Sequence, residues 1–215
     1  MEYLFISLIG YLLGSFPTAY LLLKKMRNVD ITIQGSGNVG AMNTFDVTKS
    51  KILAVIVLLI DALKGLLSVY LSLLIFPLDF IYPALALSFA VFSHCYNPWL
   101  KFKGGRGLAT SAGGTVLLFP VILIAWCIVW VIIFIMKRDI ILANVWASGA
   151  TMIIILSTAE RIVKYSFPQA ESISSLLLFS TGLMTIIFTR HINPLIELLN
   201  NKKFSLKGKD EQKTN

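Results

Sequence analysis

The stretch GLATSAGGTVLLFPVILIAWCIVWVIIFIM, residues 107–136, decides how this chain crosses a membrane. A single helix over these thirty residues would be about 45 Å long, whereas the hydrocarbon core of a bilayer is about 30 Å thick. Pro120 lies inside the stretch and lacks the backbone N–H that a helix interior needs. The sequence therefore predicts two helices with a break near Phe119 and Pro120. The first of them is a half-helix that neighbouring helices must shield from lipid.

Composition supports a membrane protein over the whole length. The 215 residues are 56% hydrophobic and 14% charged, and the mean hydropathy is +0.78, which is too apolar for a soluble domain. The apolar segments are 3–23, 52–76, 80–100, 107–136, 139–158 and 171–189. With the fourth segment divided, we expect an all-α bundle of about seven transmembrane helices in one domain, residues 1–199. A polar, basic, cytoplasmic tail follows at residues 200–215.

Charge bias favours seven passages over six. Basic residues of membrane proteins collect on the cytoplasmic side. Six passages would put Lys137 and Arg138 opposite the basic tail, whereas seven put them on the same side and leave only Arg161 and Lys164 outside. We therefore expect the N-terminus outside, and the C-terminus and the polar loops after the first and third spans in the cytoplasm. The net charge of +8 lies in short clusters without a basic face, so nucleic acid is not an expected partner.

Two glycine-rich loops carry the most distinctive chemistry. The first reads GSGNVGAMN at residues 35–43, and the second ends in KGGRG at residues 103–107. Glycines expose backbone N–H groups, and a cation or a helix start nearby attracts an anion, so both loops suit phosphate binding. The first loop is equally well explained as a tight turn. Lys101 and Lys103 are also explained as charges that fix topology, but that alternative does not account for the glycines.

Ionisable side chains also occur inside the spans. Asp61 and Lys64 are three residues apart on one helical face, with Gly65 beside them. They form either a functional polar site or an internal ion pair that fixes packing. His94 and a third polar cluster, RHIN at residues 190–193, fall at the same end of the bundle as the glycine loops. The histidines lack the spacing of metal ligands, so we expect neither a metal nor another cofactor.

Taken together, the motifs resemble those of the bacterial membrane-integral, acyl-phosphate-dependent glycerol-3-phosphate acyltransferases. That family carries GSGNxGATN, DxxKG, GHxFP…FKGGKG and RHxxN. Here the corresponding segments are GSGNVGAMN at 35–43, DALKG at 61–65, SHCYNPWLKFKGGRG at 93–107 and RHIN at 190–193. Their order and spacing hold over most of the chain.

The resemblance implies transfer of a fatty acyl group from acyl-phosphate to the sn-1 hydroxyl of glycerol 3-phosphate. The products are lysophosphatidic acid and inorganic phosphate, in phospholipid biosynthesis at the bacterial cell membrane. It also implies a seven-span fold with cytoplasmic motifs, membrane lipids as surroundings, and a soluble partner enzyme that makes acyl-phosphate. Because no residue is an obvious general base, a substrate phosphate is expected to accept the proton of the attacking hydroxyl.

The resemblance also assigns roles to residues. The catalytic group is Ser36, Arg106, His191 and Asn193, with Arg106 in place of the family's essential lysine and with His191 and Asn193 orienting glycerol 3-phosphate. The residues expected to bind substrate phosphate are Gly35, Gly37, Asn38, Gly40, Asn43, Lys103, Gly104, Gly105 and Gly107. The supporting residues are Asp61, Lys64 and His94.

The chain departs from the family pattern at several positions. Asp46 stands where the family has an arginine after the first loop, which reverses a charge expected to hold phosphate. Met42 replaces a threonine. A second hypothesis is therefore a catalytically impaired relative that acts as a membrane scaffold or acyl-phosphate binder. A third is an anion transporter with Asp61 and Lys64 as its relay, which the absence of an internal repeat disfavours.

Overall fold

The computed structural model describes the backbone of residues 1–211 and the side chains of residues 1–200, and this part of the chain is all-helical. The helices are α1 (Glu2–Gly14), α2 (Thr18–Arg27), α3 (Ala41–Thr48), α4 (Lys51–Ile75), α5 (Ile81–Cys95), α6 (Leu108–Leu118), α7 (Pro120–Lys137), α8 (Ile140–Ile162) and α9 (Ile173–Glu211). Short 3₁₀ turns lie at Ile31–Ile33, Pro98–Leu100 and Val163–Tyr165.

Five stretches are long and apolar enough to span a membrane: Glu2–Arg27, Lys51–Ile75, Pro120–Lys137, Ile140–Tyr165 and Ile173–Asn200. Counting the shorter helices α5 and α6 as passages would give the expected seven. The expected all-α membrane bundle is thus confirmed. The expected tail, residues 200–215, begins within α9, whose backbone stays helical to Glu211. Its side chains from 201 onward and residues 212–215 lie outside the described residues.

The break at Pro120 occurs where the sequence predicts it. Helix α6 ends at Leu118 and α7 begins at Pro120, with only Phe119 between them. At about 16 Å, α6 is too short to cross the hydrocarbon core alone. The chain after α8 folds back to meet the end of α6, where the Phe167 N–H donates to the Leu118 carbonyl at 2.8 Å. A backbone acceptor at membrane depth is thereby satisfied inside the protein.

Helix α6 lies against α4 at very short range because both helices present glycines to each other. A Cβ on Gly65 of α4 would run into the Thr110 carbonyl of α6, and a Cβ on Gly113 of α6 would run into the Ala62 carbonyl of α4. Leu87 of α5 covers Gly114 from the other side. Small residues at helix contacts in membranes allow this approach, so α6 is enclosed by protein on these faces.

The first span differs from the sequence prediction. An uninterrupted helix over residues 3–23 is expected, but the structure contains α1 and α2 with a break at Ser15, Phe16 and Pro17. Pro17 cannot donate a helical hydrogen bond, so the chain turns here. The Phe16 carbonyl accepts from the Thr18 N–H at 3.0 Å and from Lys64 Nζ at 2.6 Å, so the break in the first span becomes a contact with α4.

The main apolar core lies between α4, α5, α6, α8 and α9. Its largest fully buried side chains are Phe80, Leu87, Leu118, Phe119, Ile155, Leu176, Leu183 and Ile187. Helix α7, in contrast, buries only Ile122, and its other apolar side chains are exposed or partly exposed. Such an outward apolar surface belongs against lipid.

The glycine contact between α4 and α6 yields a stability prediction. In Gly65→Val, the new side chain meets backbone atoms that cannot rotate away, so the folded state should lose about 1–3 kcal/mol or more. The measurement is the thermal unfolding midpoint of the purified protein in detergent. Gly149→Val is the matched control, because nothing lies within 4 Å of a Cβ at Gly149 of α8. Equal midpoints for the two variants would contradict the close packing of α4 and α6.

Candidate active site

Three polar segments of the chain meet at one end of the bundle. They are the first loop (residues 34–43), the second loop (residues 94–107) and the stretch of α9 around Arg190. The Gly104 carbonyl joins all three, because it accepts from the Val39 N–H and from Arg190 Nη2, each at 3.2 Å. Arg190 Nε also donates to the Gly105 carbonyl at 3.1 Å. We call this end of the bundle the loop end.

Asn43 organises the first loop from its centre. Its side chain is 1% exposed. Oδ1 accepts from the Ser36 N–H at 3.0 Å, and Nδ2 donates to the Gln34 and Asn38 carbonyls at 3.0 and 2.9 Å. Gly35 lies beside this amide with φ +58°, where a Cβ would strike Asn43 Oδ1. The amide of Asn43 is therefore engaged in shaping the loop and is not free to contact a ligand.

The second loop is folded onto His94. The Gly105 N–H donates to the His94 carbonyl at 3.0 Å, and a Cβ on Gly105 would overlap the His94 ring. Gly107 has φ +84° and caps the start of α6. Arg106 is held between these two fixed glycines, so the backbone of the loop sets the direction of its side chain.

A polar cavity of about 580 Å³, its open mouth included, lies between the loops and α9. Its lining residues are Ser36, Asn38, Arg106, Thr189, Arg190, Asn193, Pro194 and Glu197. The cavity thus brings together Ser36, Asn38, Arg106 and Asn193 from the residues that the sequence marks as site candidates. Two guanidinium groups and one carboxylate face it, so its net charge favours an anion.

The two arginines that line the cavity differ in the hydrogen bonds that they make to the protein. Arg190 donates to two backbone carbonyls and lies over the Tyr96 ring at 5.2 Å, which makes it a brace for the second loop. Arg106, in contrast, donates to no acceptor within residues 1–200. Burial, and then the charge of Arg190, lowers the pKa of Arg106, and Glu197 opposes that effect. The guanidinium stays protonated at neutral pH, so an anion beside Arg106 would relieve this unfavourable environment.

Several predicted site residues lie outside the cavity. Lys103 is exposed, and its Nζ reaches the Thr32 carbonyl at 3.5 Å. His191 is 1% exposed, and its Nδ1 is 2.8 Å from the Ile187 carbonyl. Because a carbonyl only accepts, Nδ1 carries a proton, and in the neutral ring Nε2 keeps a free lone pair. Nε2 is buried without a partner among the described residues.

The predicted phosphate-binding glycines serve mainly as backbone. Gly35, Gly37 and Gly107 adopt positive φ, Gly104 and Gly105 permit close approach to residues 94–95, and Gly40 precedes α3. Ser36, Asn38 and Arg106, which are chain neighbours of these glycines, line the cavity. The glycines therefore determine where those three side chains lie.

The supporting residues form a buried polar chain beneath the second loop. Lys64 Nζ is 2.6 Å from Asp61 Oδ1 and 2.6 Å from the Phe16 carbonyl, and His94 Nδ1 is 3.9 Å from the same Asp61 oxygen. The Asp61–Lys64 pair therefore links α4 to the break in the first span, which favours the packing interpretation of these charges. Within the described residues, no group of three or more histidines, cysteines or carboxylates is placed to hold a metal ion.

Apolar cavities adjoin the polar one. One of about 360 Å³ lies between α6, α7 and α9 and begins at Leu108, two residues after Arg106. Another lies between α8 and α9, and Thr189 lines both it and the polar cavity. A polar, cationic site and a space suited to a hydrocarbon chain are thus next to each other at the loop end.

Thr189 and Glu197 were not predicted as site residues, and Arg190 was predicted only as part of the RHIN cluster at residues 190–193. The spacing of Thr189, Asn193 and Glu197 is four residues, so on a helix they share a face. Extending α9 beyond residue 189 would have revealed that face, since Asn193 was already a candidate. Asp46, which the sequence marks as a charge reversal, is exposed on α3 and is not among the residues that line the cavity.

Comparisons with known proteins point to one enzyme family. A family model described as glycerol-3-phosphate acyltransferase matches residues 4–201. The glycerol-3-phosphate acyltransferase of Myxococcus xanthus is 39% identical over 160 residues, which cover 74% of this chain and 82% of that protein. That of Helicobacter acinonychis is 32% identical over 207 residues, covering 92% and 91% of the two chains.

The solved structures agree as well. A crystal structure of PlsY, an integral membrane glycerol 3-phosphate acyltransferase, in its glycerol 3-phosphate form superposes with a TM-score of 0.78 at 27% identity and covers 94% of both chains. The lysophosphatidic acid form of that enzyme gives a TM-score of 0.75 at 28% identity, covering 94% of this chain and 93% of that one. This chain therefore belongs to the glycerol-3-phosphate acyltransferase family of integral membrane enzymes.

Proposed function

We propose that this enzyme transfers a fatty acyl group from acyl-phosphate to the sn-1 hydroxyl of glycerol 3-phosphate, forming lysophosphatidic acid and inorganic phosphate. The observation that carries the proposal is the nearness of two cavities at the start of α6. Arg106 lines the polar cavity, and Leu108, two residues later, lines the apolar one. An acyl-phosphate is a phosphate joined to a hydrocarbon chain, so its two parts match the two cavities.

Arg106 is the residue best suited to hold a reacting phosphate. It is partly buried, has no protein acceptor in residues 1–200, and lies beside the hydroxyl of Ser36 and the amide of Asn38 in the cavity lining. A guanidinium binds phosphate with two parallel hydrogen bonds. Arg190 adds charge while its donors to Gly104 and Gly105 keep the loop in place.

The chemistry requires charge stabilisation more than acid–base catalysis. The sn-1 oxygen attacks the acyl carbonyl carbon, and the bond from that carbon to the phosphate oxygen then breaks. Negative charge gathers on the carbonyl oxygen and the leaving phosphate, and fixed donors around Arg106 would stabilise it. The proton of the hydroxyl passes to a substrate phosphate. Much of the rate then comes from holding the two substrates in contact.

Asn193 would contact the substrate directly, whereas His191 would act on it only through the protein. Asn193 lines the cavity and would orient glycerol 3-phosphate directly. His191 is buried on α9, with its Nδ1 bound to the Ile187 carbonyl. We expect His191 to position the substrate through the geometry of α9.

The cytoplasmic orientation of the site is part of the proposal. Seven passages put the ends of α2, α5 and α7, and the starts of α4, α6 and α8, at the loop end. Lys24, Lys25 and Arg27 lie in the last turn of α2, and Lys137 lies in the last turn of α7. Charge bias supports a cytoplasmic position for this end and an N-terminus outside. Acyl-phosphate would come from a soluble partner enzyme, and glycerol 3-phosphate from solution.

The first test measures inorganic phosphate released from palmitoyl-phosphate by the purified enzyme in detergent, with and without glycerol 3-phosphate. Arg106→Ala should lower kcat/KM by about 100-fold or more, because a charged donor to the transition state is lost. Arg106→Lys should retain part of the activity. Lys101→Ala, which removes an exposed cation from the same loop, is the matched control. Acyl transfer from palmitoyl-CoA but not from palmitoyl-phosphate would refute the proposed donor.

A second prediction concerns the brace formed by Arg190. Arg190→Lys keeps the charge but cannot donate to the Gly104 and Gly105 carbonyls from one planar group. Its kcat/KM should fall about tenfold or more, the effect of losing a charged hydrogen bond. Unchanged kinetics would show that the second loop keeps its shape without this brace.

A third prediction separates the active enzyme from an impaired scaffold. Asp46 is exposed on α3 and does not line the cavity, so its charge is screened from a bound phosphate. Asp46→Asn should therefore change kcat/KM by less than about threefold. A large gain in activity in this variant would instead support the view that Asp46 impairs the natural chain.

A further inference from the structure

Glu197 is the one carboxylate among the described residues that line the polar cavity. It makes no ion pair within 4.0 Å in the described part of the chain, although it is close enough to Arg106 to oppose the lowering of that residue's pKa. Glu197 lies in the same cavity lining as two guanidinium groups but forms an ion pair with neither. This arrangement leaves room for a ligand between them.

A site for phosphate alone would be better without this carboxylate. Glu197 repels a phosphate dianion and offsets half of the positive charge in the cavity lining. A carboxylate offers only acceptors, so a ligand gains from it only by presenting donors. Hydroxyl groups are such donors, and O–H to carboxylate hydrogen bonds are about twice as strong as neutral ones.

The position of Glu197 on α9 suits a contact with the ligand that is separate from the contact made by the arginines. Thr189, Asn193 and Glu197 follow one another at intervals of four residues along the cavity, so Thr189 and Glu197 are about 12 Å apart along the helix axis. Thr189 also borders an apolar cavity, whereas Glu197 is exposed at the far end of the row. The row of side chains on α9 thus runs from the border of an apolar cavity at Thr189 to a carboxylate at Glu197.

We infer that Glu197 is a specificity residue that accepts a hydrogen bond from the C2 hydroxyl of glycerol 3-phosphate. The inference rests on the proposed assignment of the polar cavity to this substrate. Dihydroxyacetone phosphate has the same phosphate and the same primary hydroxyl, but it carries a carbonyl oxygen at C2. That oxygen has no proton to donate, and it faces the carboxylate with its own lone pairs. Glu197 therefore selects the alcohol over the ketone.

Binding without an acyl donor tests this role. Glycerol 3-phosphate and dihydroxyacetone phosphate are titrated separately into the purified enzyme in detergent, and heat is measured. The natural chain should prefer glycerol 3-phosphate by about tenfold or more, since a lost hydrogen bond leaves a polar group facing an acceptor. Glu197→Gln should reduce the preference below about threefold, because its amide can donate to the ketone. Glu160→Gln, on exposed α8 surface, is the matched control and should keep the preference.

Inorganic phosphate provides a second readout. Removing the negative charge in Glu197→Gln should tighten phosphate binding about threefold, while Glu160→Gln should leave it unchanged. An unchanged preference between the two acceptors in Glu197→Gln would overturn the inference. So would binding of neither acceptor to the natural chain, because the cavity would then not be the acceptor site.

The proposed acyl donor and the proposed role of Glu197 in selecting the acceptor can be refuted independently of each other. The titration contains no acyl-phosphate, so a preference that depends on Glu197 would stand even if palmitoyl-phosphate proved not to be the donor. Conversely, phosphate release that depends on Arg106 with no effect of Glu197→Gln on acceptor preference would leave the proposed reaction intact and overturn only the role of Glu197.

Discussion

The length of α6 is the constraint on which the rest of the structure depends. Eleven residues of helix cannot cross the hydrocarbon core, so every unsatisfied group at its ends must meet protein. The glycines at 65 and 113 bring α4 against it, and Phe167 satisfies the carbonyl of Leu118. The start of α6, with the second loop attached, is thereby fixed next to an apolar cavity in the interior of the bundle.

That placement explains how charge and hydrocarbon meet in one site. Arg106 precedes α6 by two residues. The backbone on either side of it is fixed, because Gly105 packs on His94 and Gly107 caps α6, so the Arg106 side chain stays directed at the cavity. Arg190 and Val39 donate to the Gly104 carbonyl from two other segments, so the loop is held from two directions. An enzyme that joins a water-soluble phosphate ester to a lipid chain needs this arrangement, because its two substrates come from different solvents.

The sequence predicted the elements that length and charge constrain. Pro120 had to break a stretch too long for one span, and the glycine loops stood out against an apolar background. The break at Pro17 escaped prediction because residues 3–23 already fit a bilayer and no length conflict required it. The amide of Asn43 makes its hydrogen bonds within the first loop. Such contacts depend on tertiary geometry and leave no periodic pattern in the sequence. Glu197 was missed because the apolar pattern fades after residue 189.

The proposed site is tested most directly by a crystal structure of the enzyme with glycerol 3-phosphate and a palmitoyl phosphonate that cannot transfer its acyl group. We expect phosphonate oxygens within hydrogen-bond distance of Arg106 and an acyl chain in the apolar cavity that begins at Leu108 between α6, α7 and α9. A phosphonate bound away from Arg106, or a chain lying outside the bundle at the far end from the loops, would contradict the proposed site.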